Sequence, residues 1–113
     1  MNEHLLFHVD VGLSNELLKG IVEAVLKQVQ AKRIILYGSR ARGNYSPVSD
    51  IDIAVECDEG IDFAKGPIED AIWTLLKVDV IDLRKTSVEF RKVILDEGVI
   101  LYEQTASSGQ EGF

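Results

Sequence analysis

Asp50 and Asp52 interrupt a run that is otherwise apolar, residues 50–56 reading D-I-D-I-A-V-E. Side chains alternate across a strand, so the two carboxylates share one face while Ile51 and Ile53 take the other. Like charges forced together repel and raise each other's pKa unless a cation sits between them, and hard divalent ions such as Mg²⁺ take oxygen ligands of this kind. Burying such a pair without a partner would cost several kcal/mol, on the order of the whole stability of a marginal domain. The pair therefore asks for metal. Gly38-Ser39, directly after the apolar run Arg33 to Tyr37, supplies a turn whose backbone N–H groups can face an anion, and Arg40 and Arg42 add positive charge beside it. A metal on one wall and a phosphate-binding turn on the other make a site for a nucleoside triphosphate.

The elements that must hold these residues can be read from periodicity. Ser14 is placed to cap a helix on which Leu17, Leu18, Ile21, Val22, Val25, Leu26 and Val29 recur as one apolar stripe, weakened slightly by Gly20. Arg33 to Tyr37 predicts a first strand. The loop after it contains Gly43, Asn44, Ser46 and Pro47, all turn formers, with a helical turn starting at Ser39 to Arg42. Tyr45 in that loop would either shield it or stack on a base. Ile51 to Glu56 predicts a second strand, its Ile-Ala-Val content suiting a central position. Pro67 is placed to open a second helix carrying Ile68, Ala71, Ile72, Leu75 and Leu76 inward, with Trp73 at the core edge or in a partner-binding patch. Val78 to Leu83 predicts a third strand, on which Asp79 and Asp82 take opposite faces, so only one of them can join the aspartate pair. Parity alone does not choose between them. Thr86 and Glu89 form a T-x-x-E capping box for a third helix ending near Gly98, and Val99 to Tyr102 is a closing strand.

This order predicts an α/β (α+β) fold: a small mixed twisted sheet, helices packed mainly on one face, and the carboxylate face left open. At 113 residues the chain has room for one core, here 1–103, followed by a flexible polar tail over 104–113. Hydrophobic residues at 46% and charged residues at 27% are those of an ordinary globular protein, and no apolar run is long enough to span a bilayer. The single Cys57 cannot form an internal disulfide, and the N-terminus lacks the pattern of a secretory signal, so a cytoplasmic location is expected. Net charge of −7 and the absence of a basic stripe disfavour a long nucleic acid as partner. His4 and His8, four apart, read as surface residues rather than metal ligands.

Gly38-Ser39, ten intervening residues and Asp50-Ile51-Asp52 resemble the GS-x10-DxD signature of minimal nucleotidyltransferases in the DNA polymerase beta-like superfamily. The resemblance takes in G-S-R-A-R-G at 38–43, Ser49, and V-D-V-I-D-L at 78–83, and runs from Ser14 to Tyr102. It implies the nucleotidyltransferase fold and a third carboxylate at Asp79, with Asp50, Asp52 and Asp79 as catalytic and metal-binding residues. It also implies two Mg²⁺ ions, ATP as substrate, and Gly38, Ser39, Arg40 and Arg42 against the phosphates. For relatives of this size it implies a small helical HEPN-type protein as partner, the enzyme acting as antitoxin by attaching AMP to a toxin tyrosine. Two other readings stand beside this one. One is transfer to a small-molecule hydroxyl, as in antibiotic-modifying relatives that usually carry an extra helical domain. The other is a catalytically inactive module that only neutralises or scaffolds a partner. Under any of these readings the helix faces and Trp73 leave room for a homodimer or hetero-complex.

Overall fold

The computed structural model describes residues 10–104. The histidine pair His4 and His8, and the tail from residue 105 onward, lie outside the described residues. Ser14 caps the first helix, α1 (Asn15–Leu26), its hydroxyl accepting from the Leu17 N–H at 3.0 Å. Helix α1 buries Leu18, Ile21, Val22 and Val25 of the expected stripe together with Ala24, while Leu17 is only partly buried and Leu26 is exposed; Val29 is buried beyond the helix end.

Four strands follow: β1 (Arg33–Tyr37), β2 (Ile51–Glu56), β3 (Val78–Asp82) and β4 (Val99–Glu103). They form one mixed sheet in the order β3-β2-β1-β4. β1 pairs antiparallel with β2 and β4, whereas β2 and β3 run parallel. A parallel pair needs a crossover, and helix α3 (Lys65–Ala71) lies within it. Arg33 and Glu56, register partners, also join side chains at 2.6 Å at the end of the hairpin away from the loop.

Strand β2 is central and buried on both sides: Ile51, Ile53, Ala54 and Val55 have no exposed surface. Its Ile51, Ile53 and Val55 join Ile34, Leu36, Val80 and Leu101 in the main core, against residues of α1 and α3. Cys57 packs there as a small buried side chain. The opposite face is covered over part of its area by helix α4 (Val88–Glu97), whose Ile94 meets Ile35, Ala54 and Leu83. Two of the three longer helices thus share one face, and the row of carboxylates lies on the other, beside α4. Gly98 permits the tight turn from α4 into β4, since a Cβ there would meet Ile35 Cγ2 at 2.4 Å.

Three local details depart from the periodic reading. Helix α3 begins at Lys65, before Pro67, and ends at Ala71, with Ile72 already extended at φ −87° and ψ 117°. The stripe through Leu75 would need another helical turn, but the chain must enter β3 beside Ile51. The Thr74 hydroxyl instead accepts from the Leu76 N–H at 3.1 Å, a local bond that competes with the helix. As a result Trp73 is 97% exposed rather than packed at the core edge. Finally, the cap of α4 is Ser87, accepting from the Phe90 N–H at 3.1 Å; Thr86 donates to the Leu83 carbonyl and closes the preceding turn, Leu83–Lys85.

Candidate active site

The site is built on the hairpin β1–β2 and completed by β3. At the end of β1 the backbone turns through Gly38, φ 84° and ψ −157°, a conformation open essentially to glycine alone. A side chain there would also collide, because an added Cβ would lie 2.5 Å from Asp52 Oδ2. The turn and the Asp52 carboxylate therefore touch only because residue 38 has no side chain. Ser39–Arg42 form the single helical turn α2, which closes at Gly43 (φ 88°), whose N–H donates to the Ser39 carbonyl at 2.9 Å.

Strand register decides which acidic groups meet. Asp52 is the ladder partner of Asp79 on β3 and of Tyr37 on β1, so the three side chains form a row on one face. Adjacent strands lie about 4.8 Å apart, which sets the two carboxylates side by side. Asp82 pairs with Val55 and faces the other way, 5% exposed, its Oδ1 accepting from the Arg84 N–H at 2.9 Å. Asp50 precedes the first ladder residue and is exposed at the mouth of the site.

The electrostatics follow from that layout. Burial pushes the Asp52 carboxyl above the usual carboxylate range, and the neighbouring charges of Asp79 and Asp50 push it further, while Lys77 and Arg42 oppose them. Tyr37 is held well above the ordinary phenol value by burial first and then by Asp52 and Asp79, so its hydroxyl stays protonated beside them. Its ring meets Phe90 edge to face, centroids 5.9 Å apart. Tyr37, Gly38, Arg42, Phe90, Val93 and Glu97 border an apolar hollow of about 220 Å³ next to the turn.

Arg42 lies at this hollow, half-exposed, with Nη1 3.9 Å from Glu97 Oε1. Arg40, expected beside the phosphates together with Arg42, is placed elsewhere. It is 1% exposed, and each guanidinium nitrogen donates to backbone carbonyls of the surrounding loops. A guanidinium so engaged has no open face for a phosphate. Tyr45 shields this group, its ring centroid 5.1 Å from Arg40 Cζ. Sequence reasoning missed Tyr37 and Lys77 as neighbours of Asp52; the register of a hairpin pivoting on residues 38–50 would have found Tyr37.

Among the described residues no three His, Cys, Asp or Glu side chains converge as a ready-made metal cluster. The acidic groups form a pair, Asp52 with Asp79, and Asp50 stands near enough to raise Asp52's pKa. Such an open donor set fits Mg²⁺, which is commonly held by one or two carboxylates together with substrate phosphates and retained water.

A family model for polymerase beta nucleotidyltransferase domains matches residues 19–107. A relative from Haemophilus influenzae named "Probable protein adenylyltransferase MntA" is 32% identical over 92 residues, covering 74% of this chain and 78% of that protein. A solved toxin-antitoxin structure with AMP-PNP superposes with a TM-score of 0.67 at 24% identity, over 77% of this chain and 73% of the matched chain. A tri-AMPylated Shewanella oneidensis HEPN toxin in complex with MNT antitoxin gives a TM-score of 0.64 at 21% identity, over 81% and 74%. At those identities the solved structures speak for a shared fold. The match of the family model across most of the chain, on a sheet that sets two aspartates against a glycine turn, means that this chain belongs to the polymerase beta-type nucleotidyltransferases.

Proposed function

We propose that the chain transfers AMP from Mg²⁺-bound ATP to a tyrosine hydroxyl of a small helical HEPN-type protein in the cytoplasm, and thereby acts as its antitoxin. The observation that carries this reading is the close approach of Gly38 and Asp52, which sets a glycine turn beside the Asp52–Asp79 pair. The adenylyltransferase designation of the 32% identical relative supports AMP as the transferred group. The fold shared with the antitoxin chains of HEPN complexes supports the acceptor.

In this reading the backbone N–H groups at Gly38 and Ser39 grip the terminal phosphates, and Arg42 stabilises them and the leaving pyrophosphate. Asp50, Asp52 and Asp79 would hold Mg²⁺ together with the triphosphate. When bound, the metal supplies charge neutralisation and orientation for an in-line displacement. Asp79 accepts the proton of the attacking hydroxyl as its oxygen bonds to the α-phosphorus. The bond from the α-phosphorus to the bridging oxygen breaks, and pyrophosphate leaves with the electron pair. Tyr37, kept protonated beside the acidic row, does not compete for that proton.

The test is to incubate the chain with α-labelled ATP, Mg²⁺ and a HEPN-type partner. Label on a partner tyrosine, lost with Asp50→Asn or Asp52→Asn while circular dichroism is unchanged, is the expected result. A tight complex that never acquires label would instead make the chain a binding module, and label only on small hydroxyl compounds would make the acceptor wrong.

A further inference from the structure

Arg40 is a cation taken fully into the fold, and its bonds tie together segments that are remote in sequence. Nη1 donates to the carbonyls of Val11 at 3.0 Å and Gly12 at 3.3 Å. Nη2 donates to those of Ser46 at 3.4 Å, Pro47 at 3.2 Å and Ser49 at 3.1 Å. Nε donates to the Ser49 carbonyl a second time, also at 3.1 Å. The Tyr45 ring covers the guanidinium, and its hydroxyl reaches Asp10 Oδ1 at 3.3 Å. Gly12 is fitted to the same assembly: at φ 74°, a Cβ there would lie 2.4 Å from Tyr45 Cε1 and 2.8 Å from Arg40 Nη1.

The position of this tether matters more than its strength. Arg40 follows Ser39 directly, on the turn α2, and the carbonyl that it holds twice belongs to Ser49, the residue before Asp50. Asp50 stands outside the ladder, whose first β2 residue is Ile51. The loop in front of it is joined to itself by short bonds, Ser46 N–H to Ser49 Oγ at 2.8 Å and Ser49 N–H to the Ser46 carbonyl at 3.1 Å. One guanidinium therefore ties the loop end that precedes Asp50 back to the turn α2 on which Arg40 sits. Charge-assisted bonds to several carbonyls make a stiff strut, because the planar donor fork fixes direction as well as distance.

We propose that Arg40 is the positioning residue for Asp50, holding it at the separation from Gly38-Ser39 at which both can engage one metal-bound triphosphate. This rests on the reading of Asp50 as a metal ligand given above. Groups that orient a ligand from behind usually change metal affinity ten- to a hundredfold when altered. A residue that only stabilised the fold would lower the melting temperature without singling out Asp50.

The experiment is a titration with Mn²⁺ alone, read by electron paramagnetic resonance, on the wild-type chain, Arg40→Lys, Asp50→Asn and the double variant. Arg40→Lys is expected to weaken Mn²⁺ binding about tenfold in the wild-type background and less than about twofold once Asp50 is Asn. Equal losses in both backgrounds, or an Arg40→Lys affinity within about twofold of wild type, would overturn the proposal. Should Arg40→Lys not fold, Tyr45→Leu, which uncovers the guanidinium, is expected to give a smaller loss with the same dependence on Asp50; no loss overturns it equally. Metal-free amide exchange separates the two layers. Faster exchange at Ser46 and Ser49 in Arg40→Lys with α1 still protected is expected, and unchanged exchange refutes the tether. A wild-type chain that binds no Mn²⁺ would instead remove the metal reading of Asp50, whatever the exchange data show.

Discussion

Replacing Gly38 with alanine tests the site at its tightest point. The backbone there, φ 84° and ψ −157°, lies in a region that costs a residue with a Cβ about 1–3 kcal/mol. The new methyl would also sit 2.5 Å from Asp52 Oδ2, with Cγ at 3.4 Å, so the carboxylate must swing aside. Together these effects should destabilise the fold by roughly 2–3 kcal/mol, lowering Tm on the order of 10 °C in a domain of this size. The displacement of Asp52 should matter more for chemistry, since a misplacement of about 1 Å can cost a factor of about a hundred in rate. Gly43→Ala is the control: it too has positive φ, 88°, but no atom lies within 4 Å of its added Cβ. It should cost about 1–2 kcal/mol from backbone conformation alone and leave the rate per folded molecule unchanged. Differential scanning fluorimetry and initial transfer rates on all three proteins decide the matter. If Gly38→Ala transfers AMP as fast as Gly43→Ala, the turn and the carboxylate are not coupled as described.

Other perturbations separate the remaining roles. Asp52 has a raised folded-state pKa, so keeping it ionised costs stability as pH rises from the ordinary carboxylate value through the raised one. In chelator at pH 7 Asp52→Asn should therefore melt above wild type, the gap closing in acid; in excess Mg²⁺ the order should reverse, because only wild type gains from the ion. A lower Tm for the variant in chelator would contradict this. Asp79→Asn should lose transfer and, in chelator, melt no lower than wild type, while Asp82→Ala, which removes a buried acceptor for the Arg84 N–H, should lose about 1–2 kcal/mol and keep its rate. Exchanged outcomes in paired melting and rate assays would mean that the wrong aspartate faces the cleft. Gly20→Ala, inside α1 with no atom within 4 Å of the added methyl, should stabilise the chain by about 0.5–1 kcal/mol in urea titration, and a loss would show that hidden packing opposes it.

How much of this was legible in the sequence depends on how local each determinant is. Asp52 and the glycine turn could be placed because parity and turn chemistry act over a few residues, whereas Asp50, expected on the same strand face, lies just before the strand begins at Ile51. The choice of Asp79 over Asp82 could not, since it depends on the register of β3 against β2, a relation between distant segments that parity leaves undetermined. Arg40 misled for a deeper reason. Its partners are main-chain carbonyls, which carry no residue identity, so nothing in the string of letters marks a buried arginine that needs no acid. The apolar spacing through Leu75 looked helical, but entry into β3 ended the helix early and left Leu75 in solvent, with Trp73 exposed beside it. Thr86 and Ser87 are adjacent hydroxyl residues, and only the geometry of the preceding turn assigns the cap to the second.

The parallel pairing of β2 with β3 sets an order of assembly. The hairpin of β1 and β2 closes over residues 38–50 and already carries the glycine corner with Asp50 and Asp52, whereas Asp79 arrives only after the longer crossover over residues 57–77, through α3, has folded back. Loop-closure entropy makes that second event the slower one. A chain emerging from the ribosome would therefore possess the glycine corner before Asp79 joins it, and under the proposed function catalytic competence would be among the last properties it acquires. Pulse-labelled exchange that found β3 protected before the hairpin would reverse that sequence.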